Sequence, residues 1–268
     1  MPRGRTAKVL VHRVAGDRVR RIPDELIVEE PLEIRLDGHL VTTTMRTPGN
    51  DFELASGLCL TDGLLDGAAV LRVRYCGDVG SAEETEFNVV TVETGDRAPV
   101  PTPRVATTTS SCGLCGSASL DALRQRLHPL PPHDPFPLDI LASAPDRMKD
   151  HQRLFASTGG VHAAAAFDRR GEPIVLREDV GRHNAVDKVV GRLLLDRRTP
   201  ARDLAIYVSG RASFEIVQKA WAAGFVAVVA VSAPSNLAVD TARAAGMTLA
   251  GFARDDRINV YAPAEIAL

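Results

Sequence analysis

The sequence predicts an α/β protein in two parts, a three-layer C-terminal domain and a smaller N-terminal α+β domain. Three observations carry this expectation. After Pro137, short apolar strands alternate with amphipathic helices, the pattern of a sheet covered by helices on both faces. Before position 95 the chain shows two hairpin signals, one helix and two more strands. Between these halves, residues 95–103 hold three prolines and 128–137 hold five, a density that denies regular structure and favours extended chain. The expected units are residues 1–127, a proline-rich linker at 128–138, and the α/β domain at 139–268.

In the first unit, strands at 9–14 and 19–22 are split by Ala15-Gly16-Asp17, and strands at 32–36 and 40–45 flank Asp37-Gly38, a strong hairpin-turn dipeptide. A helix begins near Thr47-Pro48-Gly49-Asn50, turns Phe52, Ala55, Leu58 and Cys59 inward, and stops before Asp62-Gly63. Strands at 70–75 and 86–92 complete the unit. The segment TTTSSCGLCGSASLDALRQRL reads as a polar loop, a Cys-x-x-Cys and a helix with Leu120, Leu123 and Leu127 on one face. In the second unit, a helix opens at Ser143-Ala144-Pro145 and runs through Met148, His151 and Phe155 to Gly159-Gly160. Strands at 161–167 and 174–178 follow, then helix 183–195, strand 204–209, helix 213–223, strand 225–231, helix 235–245, and strands 248–252 and 258–261. Most of these strands are expected to be parallel.

Composition narrows the function classes. Hydrophobic residues make up 45%, which argues against disorder. Lys and Arg number 32 against 34 Asp and Glu, a net charge of −2, so a generally polybasic nucleic-acid binder is excluded. Aromatics at 4% disfavour a base-stacking platform. No apolar run approaches the roughly 18 residues of a membrane span, and the start MPRGRTAKVLVHRV lacks the apolar core of a secretory signal. The expected location is the cytoplasm, with no nucleic-acid or membrane partner. The first 21 residues carry seven Lys and Arg against Asp17 alone; we read them as a solvated arm in preference to a docking surface for an acidic partner.

In that compartment four cysteines are more plausibly reactive or metal-binding than paired. Cys59 and Cys76 stand alone and are assigned to packing, while Cys112 and Cys115 form the Cys-x-x-Cys. A helix starting near Ser117 would favour a thiolate at its positive end, and Gly113 and Gly116 free the backbone to turn. Three chemistries compete. A thioredoxin-like pair would follow the first strand of a βαβ unit, whereas here Ser110-Ser111 precede it. Half a structural zinc site needs two more ligands, and Cys59 and Cys76 are not a second Cys-x-x-Cys, although His128 or His133 could contribute. A persulfide carrier needs one accessible nucleophilic cysteine on a loop, which suits this segment best. The bland alternative is two small residues in a turn.

Two strand-to-helix loops add a second signal. REDVGRHNAVDKVVG sets Asp179, Gly181, Arg182, His183 and Asn184 between a strand end and a helix that carries Asp187 and Lys188, the usual place for sites in α/β sheets. Val208-Ser209-Gly210-Arg211-Ala212-Ser213 is a small-residue loop with an Arg at a helix start, suited to a phosphate, though without P-loop spacing. With Phe252-Ala253-Arg254-Asp255-Asp256-Arg257 they suggest an anionic, nucleotide-like ligand. Arg211, Arg254, Arg257, His183 and Lys188 are expected to line its phosphate or guanine pocket.

Five motifs in order, TPGNDFELASGLCL, TTSSCGLCG, EDVGRHNAVDKVVG, SGRASFEIVQKA and GFARDDRINVY, resemble the FdhD/NarQ family of formate dehydrogenase accessory proteins. The resemblance runs through nearly the whole chain. It implies a sulfurtransferase that takes persulfide sulfur from a cysteine desulfurase and delivers it to the bis-molybdopterin guanine dinucleotide form of the molybdenum cofactor, for formate dehydrogenase. It implies Cys112 as persulfide carrier, Cys115 as its helper, and Phe252, Ala253, Arg254, Asp255, Asp256 and Arg257 against the guanine dinucleotide, with GDP as a mimic. No structural metal is expected, and exposed sheet edges with the basic N-terminus permit a homodimer. The family's C-terminal half is similar to the cytidine deaminase fold. Deaminase zinc chemistry needs H-x-E and P-C-x-x-C, where this chain has His162-Ala163-Ala164 and Ser111 before Cys112, so deamination is disfavoured. A non-catalytic cofactor chaperone is the rival reading.

Overall fold

A computed structural model describes residues 4–76, 88–102 and 126–263. Cys112, Cys115 and most of the helix expected after them lie outside the described residues.

The N-terminal half follows its turn chemistry. Strands β1 (Thr6–Ala15) and β2 (Arg18–Ile27) form a separate antiparallel ribbon, longer than the apolar pattern alone indicated. Strands β3 (Glu30–Leu36) and β4 (His39–Arg46) join through Asp37 and Gly38, at φ +47° and +83°, the positive pair that a tight two-residue hairpin requires. Helix α1 (Asp51–Thr61), strand β5 (Arg72–Tyr75) and strand β6 (Val89–Glu93) complete a four-stranded sheet of order β4-β3-β6-β5. Its inner face, including Leu32, Ile34, Val90 and Val92, packs on Leu54, Ala55, Leu58 and Cys59 of α1. Cys59 is thus a core residue, and Cys76 is half-buried at the end of β5.

The C-terminal half is built on strand alternation. Strand β7 (His162–Phe167) turns Ala164 and Ala166 to one core and Ala165 and Phe167 to the other, as a period of two demands. Strand β9 (Ala205–Val208) divides Ile206 and Val208 from Ala205 and Tyr207 in the same way. One face is covered by helices α4 (Arg182–Leu195), α5 (Phe214–Ala223) and α6 (Asn236–Ala245), the other by α2 (Leu138–Lys149). Short helix α3 (Arg153–Thr158), and strands β8 (Pro173–Asp179), β10 (Ala227–Ala230), β11 (Thr248–Arg254) and β12 (Arg257–Ala262), complete the unit. The three expected layers are present.

Two details differ from expectation. In the sheet order β12-β11-β10-β9-β7-β8, only β9, β10 and β11 are mutually parallel. The flanking strands pair antiparallel: β7–β8 and β11–β12 are hairpins, and β7 runs against β9. The helix predicted from Ser143 begins at Leu138 and stops at Lys149, with Pro145 inside it and α3 separate. Burial of Leu141, Ala144 and Met148 on one stripe outweighs the roughly 3 kcal/mol that an interior proline costs. The 128–138 stretch is laid against the C-terminal unit. Trp221 Nε1 donates to the His128 carbonyl (2.8 Å), and buried Phe136 meets Phe167 edge to face at 5.7 Å.

The two halves meet through helices. A Cβ on Gly57 of α1 would lie 1.8 Å from the Asp187 carbonyl oxygen, and one on Gly191 of α4 would lie 1.7 Å from that of Glu53. The two backbones therefore touch, and α1 is enclosed on both sides.

Candidate functional site

The parallel strands β9, β10 and β11 end at one edge, where their loops bond to one another. Ser232 N–H donates to the Gly210 carbonyl (3.4 Å), Phe252 N–H to that of Ser232 (3.3 Å), and Ser235 N–H to that of Ala212 (3.2 Å). Strand β7 starts at this edge with His162, and Ala163 N–H donates to Ser209 Oγ (2.9 Å). Strand β8 ends there, and α4 begins three residues later. This is the carboxyl edge where α/β sheets bind ligands.

Two helix starts at the edge carry unmet hydrogen-bonding capacity. The N-cap of α4 is Gly181, which has no side chain to offer, and the N-cap Ser213 of α5 makes no side-chain bond. By contrast, Ser235 Oγ caps α6 by accepting from Ala238 N–H at 3.2 Å. The buried atoms Arg182 Nε, His183 Nε2 and Ser213 Oγ have no hydrogen-bond partner among the described residues. Glu215 Oε2 approaches His183 Nε2 to 3.6 Å, which joins the first turns of α4 and α5. Free N–H groups, a helix dipole and guanidinium and imidazole donors suit an oxyanion.

His162 belongs to the same cluster, and a Cβ on Gly210 would lie 3.5 Å from its Nδ1. Burial first, then the charges of Arg182 and His183, push its pKa below the ordinary histidine value against the pull of Asp179. An anion bound beside Arg182 offsets that positive field, so we expect inorganic pyrophosphate to raise the His162 pKa. Proton NMR titration with and without pyrophosphate checks this, and superimposable curves would remove the anion from this edge.

The expected site residues fare unequally. Arg211 and Phe252 are exposed at the strand ends, and His183 lies half-buried at the start of α4. Phe252 holds φ +53° at a register shift of the β11–β12 hairpin and is 49% exposed. A bulky residue in the left-handed region at a bulge is characteristic of functional edges. Arg254, Asp255, Asp256 and Arg257 form the exposed tip of that hairpin, where the Arg257–Asp255 contact at 3.4 Å contributes little. The Ala253 side chain points into the core, as alternation along β11 requires. Lys188 lies in the interior, paired to both halves. It is 1% exposed, its Nζ lies 2.6 Å from Asp179 Oδ2, and it donates to the Thr47 carbonyl at 2.9 Å.

That ion pair belongs to the seam between the halves. Thr47 N–H donates to Asp179 Oδ2 (3.1 Å), Val180 N–H to Thr47 Oγ1 (3.0 Å), and Asn184 Nδ2 to both Asp179 Oδ1 (3.0 Å) and the Met45 carbonyl (2.8 Å). A second cluster sets Lys219 Nζ on both oxygens of Asp187 (2.9 and 2.8 Å), on Thr61 Oγ1 (2.9 Å) and near Asp62 (3.3 Å). Burial works against the charge on Lys219, but Asp187 and Asp62 outweigh it and hold its pKa above the ordinary lysine value. Much of the polar α4 motif therefore locks α4 to the N-terminal half and so positions the two helix starts. The spacing of Asn184 and Lys188 on one helix face was the only sequence signal for this; their partners in the N-terminal half, Met45 and Thr47, lie more than a hundred residues away.

Comparison with known proteins agrees with this architecture. The sequence model of the FdhD/NarQ family matches residues 27–267. The chain is 47% identical over 262 residues to the sulfur carrier protein FdhD of Mycolicibacterium paratuberculosis, covering 96% of both chains. It is 48% identical over 265 residues to that of Streptomyces avermitilis, covering 96% of this chain and 94% of that one. A crystal structure of a candidate formate dehydrogenase accessory protein from Desulfotalea psychrophila superposes with a TM-score of 0.76, at 24% identity over 97% of this chain and 99% of that one. That last likeness concerns the fold.

Proposed function

The chain belongs to the FdhD/NarQ family, and from that premise we propose that it is a sulfur carrier needed for formate dehydrogenase activity. It accepts persulfide sulfur from a cysteine desulfurase and passes it to the bis-molybdopterin guanine dinucleotide form of the molybdenum cofactor. The observation that carries this reading is the likeness, along nearly the whole chain, to proteins named for sulfur carriage. The same reading puts the protein in the cytoplasm, as a homodimer.

Cys112 is the carrier. Its thiolate attacks the terminal sulfur of the donor persulfide; a new S–S bond forms on Cys112, the donor's S–S bond breaks, and the donor leaves as a thiolate. Attack by Cys115 on the Cys112 sulfur then closes a disulfide and expels hydrosulfide. The two thiols supply the two electrons that turn sulfane sulfur into sulfide, and a dithiol reductant resets the pair. Early attack by Cys115 would lose the sulfur, so it must wait until the cargo is in place. Cys59 is unsuited to this role, since burial, aided by Asp62 and Asp187, pushes its thiol up to about 12. The guanine dinucleotide is cargo, and the strand-end edge suits it. Arg211, Arg254 and Arg257 offer charge, the uncapped starts of α4 and α5 with Arg182 and His183 offer phosphate donors, and Phe252 offers an exposed ring for the guanine.

Treatment with desulfurase and cysteine is expected to add sulfur to the wild-type chain, read by intact-mass spectrometry, and to add none to Cys112→Ala. Sulfur on Cys112→Ala would overturn the carrier assignment. The chaperone reading is favoured by one observation, the orphaned donors of the helix starts, which need no cysteine. It predicts that Cys112→Ala/Cys115→Ala still delivers active cofactor to formate dehydrogenase.

A further inference from the structure

The seam between the halves accounts for only part of the motif SGRASFEIVQKA. Lys219 serves that seam through Asp187 and Thr61. Glu215, four residues earlier, stands instead in the first turn of α5, at the strand-end edge. Its Oε2 lies 3.6 Å from His183 Nε2, and the side chains of His183 and Glu215 are 22% and 20% exposed, so a ligand can reach both. The first turn of α4 contains no acid. Asp179, the carboxylate at the end of β8, is fully buried and held by Lys188 and Asn184.

A carboxylate is out of place in a site that holds phosphate alone. The uncapped starts of α4 and α5 favour a bound anion, as do the buried atoms Arg182 Nε, His183 Nε2 and Ser213 Oγ, which have no hydrogen-bond partner among the described residues. Glu215 opposes them, because like charges repel, most strongly where water is partly excluded. An ionised carboxylate brings one compensating property: it accepts hydrogen bonds at both oxygens and donates none. A ligand with hydroxyl or N–H donors beside its phosphates can use those acceptors. Inorganic pyrophosphate, an anion made of acceptor oxygens, has almost no donor to offer.

We propose that Glu215 is a specificity-determining residue of the strand-end edge: it weakens the hold on inorganic phosphate and pyrophosphate, and favours a diphosphate ester that donates a hydroxyl or N–H hydrogen bond to its carboxylate. Without it, two uncapped helix starts and their donors would hold any phosphate that reached them. With it, the wrong ligand meets a like charge, and the right one makes a charge-assisted bond that the wrong one cannot. This role rests on the phosphate reading of the edge, and narrows the ligand from a free ion to an ester. It does not depend on which cysteine carries sulfur.

Calorimetric titration of pyrophosphate and of GDP into the full-length protein, in metal-free buffer, tests it. The wild type is expected to bind both, GDP more tightly. In Glu215→Gln, which keeps the shape of the side chain and removes its charge, pyrophosphate is expected to bind at least about fivefold tighter than in the wild type, and GDP no tighter. The preference for GDP over pyrophosphate then falls at least about fivefold, a ratio that a merely structural role would not move. Glu215→Asp, which keeps the charge and shortens its reach, is expected to bind pyrophosphate as weakly as the wild type and GDP more weakly. An equal change for both ligands in Glu215→Gln, or weaker pyrophosphate binding, would overturn the role of Glu215 and leave the phosphate reading standing. Absence of binding of either ligand to either protein would overturn the phosphate reading and this role with it.

Discussion

Alanine in place of Gly191 is expected to bring the protein to the edge of unfolding. The added methyl would lie 1.7 Å from the Glu53 carbonyl oxygen, so α1 and α4 would have to part by roughly 1.5 Å in a close-packed interior. Neither helix can yield alone. Helix α1 is held on its other side by the four-stranded sheet, and α4 is fixed to the six-stranded sheet. Parting them also stretches the Asp179–Lys188–Thr47 and Asp187–Lys219–Thr61 clusters that flank the crossing. The expected cost exceeds about 4 kcal/mol, against a total stability on the order of 5–15 kcal/mol. Gly57→Ala should cost as much, and the double variant less than the sum, because helices already parted leave room for the second methyl. Urea unfolding midpoints check this; a Gly191→Ala midpoint at the wild-type value would mean that the helices do not touch there.

Lys219→Met is expected to cost about 3–5 kcal/mol, the loss typical when one member of a buried ion pair is removed. The deletion leaves Asp187 buried with Asp62 nearby and no cation between them. Burial already raises the Asp187 pKa, and Lys219 is what opposes that rise. Without Lys219 the carboxyl is pushed higher, so the folded variant binds a proton that the unfolded chain does not. Such a group contributes stability below its unfolded pKa and loses it as pH rises through the folded value. The variant should therefore regain part of its deficit as pH falls from 7 toward 5, while Lys219→Met/Asp187→Leu, which leaves no buried lone charge, should be markedly more stable at pH 7. Denaturation at the two pH values decides it. A deficit independent of pH would show that Asp187 stays ionised and solvated.

Local chemistry was legible wherever one segment decides its own conformation. Asp37-Gly38 predicts its hairpin because those residues tolerate the positive φ that the turn needs. The C-terminal alternation predicts three layers because both faces of each strand are apolar. Strand direction was not legible for β7 and β11, which are as buried and apolar as the parallel strands beside them. Nor was the α2–α3 break, because Pro145 reads as a helix start until the burial of Leu141 is known. Arg211 and His183 were chosen because they stand at strand-to-helix junctions, and Phe252 because its C-terminal segment resembles the family motif. The burial of Lys188 and Ala253 was not legible, because a motif shows which residues travel together, not which way each side chain faces.

By itself the sequence determined the element order, the family, and the presence of a Cys-x-x-Cys with anion-suited loops, all properties of short segments or of their linear order. Tertiary structure alone decided that Asp179, Asp187 and Lys188 hold the halves together, that Gly57 and Gly191 are points of backbone contact, and that the uncapped starts of α4 and α5 meet. The reason is physical. A charged side chain is a ligand or a rivet according to whether its partner comes from the same protein, and the partners here, Thr47 and Thr61, come from more than a hundred residues away.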